Sequence, residues 1–238
     1  MITPNPHSTI QLGVNQGQTF LRQTGLYLLL GLSITGIISY VLFHNPISMA
    51  YFFSFNHGKQ SLTGLGWLIL FLPIILTFLM SFMLNTASKG LLFLFYILIT
   101  SSFGITLSTL GFSYNPQIIF MALMATIASF SGFALWGFFT SKNLGGLGHF
   151  MFMALWGLII MGFIQIFWHN SLFNFVLGVG GVLIFTLLTA YDIQKLKEIS
   201  QSQNIDNQRI SIWFALSLYL DFINIFVSLL RILGSGKR

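Results

Sequence analysis

The chain has 238 residues, of which 55% are hydrophobic and only 6% charged, with a net charge of +6. An ordinary soluble domain, in which charged residues approach a quarter of the total, is excluded by those figures. With no cysteine, disulfides and thiolate metal sites are excluded as well. Residues 1–23 are polar, carry Pro4 and Pro6, and read as a cytoplasmic tail that is mobile over its first 15 or so residues. They contain no cleavable signal peptide by pattern, because the apolar run that follows is too long for a signal segment. Seven apolar stretches, at 24–43, 62–84, 91–111, 117–139, 149–168, 172–194 and 210–233, are long enough to cross about 30 Å of hydrocarbon. The expected architecture is an all-α integral membrane protein with seven transmembrane helices over 24–234 and a short basic tail at 235–238. Since the fifth and sixth stretches are parted only by Trp168, His169, Asn170 and Ser171, six spans is the alternative count.

Basic residues orient this array. Arg22, Lys89, Lys142, Lys195, Lys197 and Arg209 fall on the N-terminal side of seven spans, against Lys59, Lys237, Arg238 and Arg231 on the other. The positive-inside rule then puts the N-terminus in the cytoplasm and the C-terminus outside. Ten cations dispersed over tails and short loops make no basic groove, so nucleic acid is not a partner.

Along the chain, the loop His44–Ser61 gathers Tyr51, Phe52, Phe53 and Phe55 beside His57 and Lys59, as in an interfacial belt at the headgroups. Pro73 interrupts the second span and should kink it. The third span carries Thr100, Ser101, Ser102, Gly104, Thr106, Ser108 and Thr109, small residues suited to close helix packing. The segment TSKNLGGLGH at 140–149 has glycines but no preceding strand and no GK[ST] ending, and reads as a flexible turn. In the fifth span Gln165 is expected to hydrogen-bond to a neighbouring helix. The five histidines include no i, i+4 pair, so a zinc site has no support and no cofactor is implied.

Acidic residues number only four, and one of them, Asp221, lies near the middle of the apolar run 216–233. Insertion of Asp at a helix centre costs about 2.5 to 3.5 kcal/mol, so such a residue faces a bundle interior or a water-filled path. Ser217, Asp221, Asn224, Ser228 and Arg231 follow at steps of 4, 3, 4 and 3, which collects them on one helix face as candidate pore-lining groups. The other faces, of Leu, Ile, Phe and Val, would turn to other helices or to lipid. In the sixth span Thr186, Thr189 and Asp192 are spaced by three and form a polar edge, with Thr189 a further pore-lining candidate. The polar connection ISQSQNIDNQR makes the last two helices antiparallel neighbours. Two carboxylates facing each other in a low-dielectric site cannot both stay ionised cheaply. One shared proton would hold Asp192 and Asp221 together; its loss as pH rises would drive them apart, and the same oxygens suit Ca²⁺. Counted from Lys195 and Ile210, the two differ in depth by roughly 12 Å, which tilt, unwinding or a longer sixth helix would have to close. The plain alternative has Asp221 bonded to a neighbouring helix and Asp192 paired with Lys195.

The segments TAYDIQKLK at 189–197 and SLYLDFINIFVSLLRILG at 217–234, with weaker agreement at 103–108 and 122–148, resemble the Bax-inhibitor family of membrane proteins. The resemblance implies a bacterial inner-membrane protein in which six helices surround a central C-terminal helix. It also implies that Asp192 and Asp221 form a pH-sensitive pair gating a calcium leak. Arginines near the end of helix two, which hold the aspartates in calcium-leaking relatives, have only Lys89 as a counterpart in SFMLNTASKG at 81–90. A second class implied by the resemblance is a membrane interaction protein that modulates a membrane protease or stress response without conducting ions. The carboxylates also raise the question of an intramembrane aspartyl protease, but such enzymes carry GxGD and PAL motifs where this chain has SLYLD and no PAL; an enzyme is not expected.

Overall fold

The computed structural model describes residues 6–56, 59–167, 171–201 and 207–235. Its elements are α1 (Pro6–Phe43), α2 (Pro46–Met49), β1 (Phe53–Asn56), β2 (Lys59–Leu62), α3 (Gly64–Met83), α4 (Lys89–Leu107), α5 (Leu110–Ser113), α6 (Pro116–Phe139), α7 (Gly145–Phe167), α8 (Ser171–Ser200) and α9 (Asn207–Ser235). Seven of the helical segments are long and apolar enough to cross a membrane. α7 and α8 are separate helices, so seven spans is the count and six is not. Exposed Leu29, Phe82, Phe120, Phe139 and Phe152 give the helices the apolar exterior that hydrocarbon requires.

Helix starts follow local chemistry. Thr63, Ser88 and Asn115 cap α3, α4 and α6 by accepting from Gly66, Leu91 and Gln117 backbone N–H groups. α1 begins at Pro6, whose fixed φ suits a first helical turn, so helix replaces much of the tail expected over 1–23. The polar residues there are poor at nucleating a helix but extend one that the apolar span has already formed. α8 runs on to Ser200, beyond the end expected at 194. Most of the loop at 44–61 is folded too: α2 leads into an antiparallel hairpin pairing Phe53 with Leu62 and Asn56 with Lys59, a small sheet that an all-α reading did not contain. Phe53 is buried while Tyr51 is exposed, so the aromatic group is divided between core and surface. His57 of that expected belt, the Trp168–Asn170 junction, loop residue Asp206 and the basic tail Lys237–Arg238 lie outside the described residues.

The chain divides into two compact units. One comprises 22–113 and 206–216. Within it, Tyr96 Oη donates to the Tyr27 carbonyl at 2.6 Å and Thr35 Oγ1 to the Thr100 carbonyl at 2.8 Å, tying α4 to α1. Gly104 leaves room for Ile38 and the Thr35 carbonyl, so this small residue of the third span acts in packing. Lys89 Nζ donates to Gln208 Oε1 at 2.5 Å, and Arg209 Nη1 to the Asn85 carbonyl at 3.1 Å, tying the α3–α4 turn to the start of α9.

The other unit comprises 1–21, 114–205 and 217–238. α8 packs on both α6 and α7. Gly137 of α6 lies against the Ala190 backbone and Gly148 of α7 against the Tyr191 ring, so both helices approach α8 where a Cβ would obstruct them. Met151, Phe185, Leu188 and Ile225 form a buried core cluster in this unit, flanked by Phe130, Leu147, Leu155 and Leu229.

Candidate functional site between α8 and α9

α8 and α9 run antiparallel, and their polar edges meet. Thr189 Oγ1 donates to Asp221 Oδ2 at 3.3 Å and also reaches the Phe185 carbonyl at 2.8 Å. Ser217 Oγ donates to Asp192 Oδ2. The arrangement is crossed: each carboxylate is met by a hydroxyl of the opposite helix, and Thr189 and Ser217 lie about one turn from the carboxylate on their own helix. Among the described residues no hydrogen bond joins the two carboxylates directly. The extension of α8 to Ser200 closes part of the expected depth difference, leaving about 9 Å counted from the observed helix ends. The two hydroxyls span what remains.

Asp192 and Ser217 are half-buried. Asp221 and Thr189 are buried, and no residue of α8 from Ile184 to Lys197 is exposed. Every residue of α9 from Gln208 to Gly234 is buried or half-buried, so its apolar faces turn to protein instead of lipid; Phe222 meets the Phe130 ring edge-on at 5.5 Å. No cation pairs with either carboxylate among the described residues. Lys195 pairs with Glu198 at 2.9 Å, not with Asp192, because three residues along a helix bring both long side chains to the same edge. Lys89, the counterpart of the expected latch, is bonded to Gln208.

The remaining stripe residues divide. Asn224 Nδ2 returns to its own helix, donating to the Leu220 carbonyl at 2.8 Å. Ser228 is buried where Gly178 and Gly181 of α8 allow a close approach to α9, and the half-buried Arg231 follows on the same side with its Cβ near Gly178. Only Thr189, Asp192, Ser217 and Asp221 come together as a site. Two carboxylates with two hydroxyls offer hard oxygen donors of the kind Ca²⁺ accepts, and no third His, Asp or Glu joins them among the described residues.

Sequence reasoning missed Gln194. Buried one turn beyond Ala190, it accepts from the Leu144 N–H and donates to the Lys142 carbonyl, both at 2.8 Å. The expected flexible turn at 140–149 is therefore fastened, and Asn143 Oδ1 caps Gly145 at the start of α7. The available signal was an amide placed four residues after the small Ala190 on the same face. Gln165 differs in the opposite sense: its buried Oε1 has no hydrogen-bond partner among the described residues.

A family model described as inhibitor of apoptosis-promoting Bax1 matches residues 17–238. The chain belongs to the Bax inhibitor family. Its relatives include the inner membrane protein YbhL of Escherichia coli K12, 30% identical over 224 residues, covering 92% of this chain and 93% of YbhL. An uncharacterized protein of Deinococcus radiodurans is 32% identical over 230 residues and 94% of each chain. The uncharacterized protein RP147 of Rickettsia prowazekii is 36% identical over 180 residues, or 74% of this chain and 75% of its own. Membership of the Bax inhibitor family and seven apolar spans together make this a membrane-embedded protein.

Proposed function

We propose that this protein resides in a bacterial inner membrane, N-terminus in the cytoplasm, and carries a slow, pH-responsive Ca²⁺ leak controlled at Asp192 and Asp221. The observation that carries the reading is the crossed hydroxyl–carboxylate arrangement: two acids within membrane-spanning helices, each with one hydroxyl partner and no cation among the described residues. A protonated acid tolerates that setting, whereas two ionised acids repel across a low-dielectric gap and are sparsely solvated. At low pH the site is neutralised and α8 and α9 stay closed over it. As pH rises the protons leave, the carboxylates part, and oxygen ligands become available to a passing Ca²⁺. The inner-membrane location is supported by the description of YbhL.

Ca²⁺ flux into liposomes containing the purified protein, scanned over pH, tests the reading. Wild-type flux should increase with pH. Asp221→Asn nearly preserves shape and abolishes the charge, so the pH dependence should disappear; Asp192→Asn should act in the same sense and the double variant should add little, since groups working as one unit are not additive. An unchanged pH profile in the Asn variants, or no Ca²⁺ movement at any pH, would overturn the leak. The protein would then be better read as a membrane interaction protein modulating a protease or stress response.

A further inference from the structure

The cytoplasm-directed half of α8 is tied to its neighbours in a way the carboxylates alone do not explain. Gln194 uses both ends of its amide on one short segment: Oε1 takes the Leu144 N–H and Nε2 gives to the Lys142 carbonyl. Lys197 Nζ, one turn on, donates to the Phe138 carbonyl at 2.7 Å and lies over the Phe138 ring, satisfying the C-terminal end of α6. Ala190, one turn earlier, receives Gly137, and Tyr191 receives Gly148. Ala190, Gln194 and Lys197 thus form one row facing α6 and the loop after it. Asp192 is on the other side of the same turns, toward Ser217 of α9. Toward α9, the side-chain hydrogen bonds seen at this level among the described residues are the two hydroxyl–carboxylate bonds.

We propose that Gln194 is a positioning residue for Asp192: by locking loop 140–144 onto α8 it makes α6, that loop and α8 one body, so that the carboxylate is presented to α9 at a fixed height and separation occurs at the α8–α9 face. The inference rests on reading Asp192 and Asp221 as the working site. Among the described residues, charged or titratable groups around this stretch are Tyr191, Lys195, Lys197 and Glu198 on α8, Lys142 in the loop, His149 on α7, and Tyr219 and Asp221 on α9; α6 contributes none over Pro116–Phe139. A buried amide making two hydrogen bonds to backbone leaves two orphaned groups when removed.

Gln194→Met keeps the length and apolar bulk of the side chain but neither hydrogen bond. A second variant, insertion of two glycines between Lys142 and Asn143, breaks the clamp from the exposed loop and leaves Gln194 intact. Ca²⁺ flux is measured across pH in liposomes, and the aspartate carboxyl bands are followed by infrared difference titration with isotope-labelled aspartate, which is tractable because the chain has three Asp residues. Both variants should increase the low-pH leak about fivefold or more, flatten its pH dependence and shift the carboxyl titration. If the full-length variants fold and bind the membrane like the wild type but leave both the flux profile and the carboxyl titration unchanged, Gln194 does not position Asp192. If neither wild type nor variant moves Ca²⁺ while the carboxyl titration shifts, the leak fails and the positioning role stands. A shift in Gln194→Met that the loop insertion does not reproduce overturns the clamp.

Discussion

An ionised carboxylate has room for about four hydrogen bonds, and among the described residues Asp221 receives one, at 3.3 Å, from a threonine that also serves the Phe185 carbonyl. Each hydroxyl in this cluster therefore carries more of the local solvation than a surface hydroxyl would. Thr189→Val keeps the branched shape and deletes the donor to Asp221; Ser217→Ala deletes the donor to Asp192. Each should destabilise the protein by roughly 0.5 to 2 kcal/mol, since interhelical hydrogen bonds in membranes average about 0.6 kcal/mol and reach about 1.7. The double variant should depart from additivity, because both donors belong to one network. Reversible unfolding in mixed micelles measures all three, and variants as stable as the wild type would show that the hydroxyls carry no structural weight. The site's two acids were legible from sequence because a charge inside an apolar run is costly and hence conspicuous. Their hydroxyl partners were visible only as members of polar edges, since which residue of one helix meets which of the other depends on register, and register depends on where α8 ends.

Helix extents show the same limit. Spans stand out as long apolar runs, but α1 and α8 continue into polar sequence where hydropathy no longer marks them, and the hairpin at 53–62 is built from residues that also suit a headgroup belt. Packing between helices is set at a few glycines that composition does not single out. Gly132 and Gly137 both lie in α6, five residues apart in sequence. A Cβ on Gly132 meets nothing within 4 Å, whereas one on Gly137 collides with the carbonyl oxygen of Ala190 and comes within 2.8 Å of its Cα. Gly137→Ala should consequently push α6 from α8 at a cost of about 1 to 3 kcal/mol, the range for overpacked cores. Gly132→Ala should be neutral or stabilise slightly, because alanine is the better helix former. Thermal unfolding in detergent separates them, and equal effects would place the α6–α8 contact elsewhere.

At the scale of the whole molecule, seven spans send the two ends of the chain to opposite sides of the membrane, and charge must decide which end is inside. With the N-terminus in the cytoplasm, the α3–α4, α6–α7 and α8–α9 connections face inward, bringing Lys89, Lys142, Lys195, Lys197 and Arg209 to the side favoured for cations. The short Thr109–Asn115 connection, which then faces outward, carries no cation. This orientation also puts the Gln194 end of α8 on the cytoplasmic side, so the pH response proposed above would be set from inside the cell. Lys59, Arg231, Lys237 and Arg238 oppose it, but they are outweighed by Arg22 and by basic residues repeated at three inward turns. Fusing a reporter active only outside the cytoplasm to the C-terminus should give signal, and a reporter that matures only in the cytoplasm should be bright at the N-terminus and dark at the C-terminus. Both ends reporting from one side would contradict the seven-span path itself. Exchanged signals would preserve the path and invert it, exposing the clamp and the inward-facing lysines to the outside.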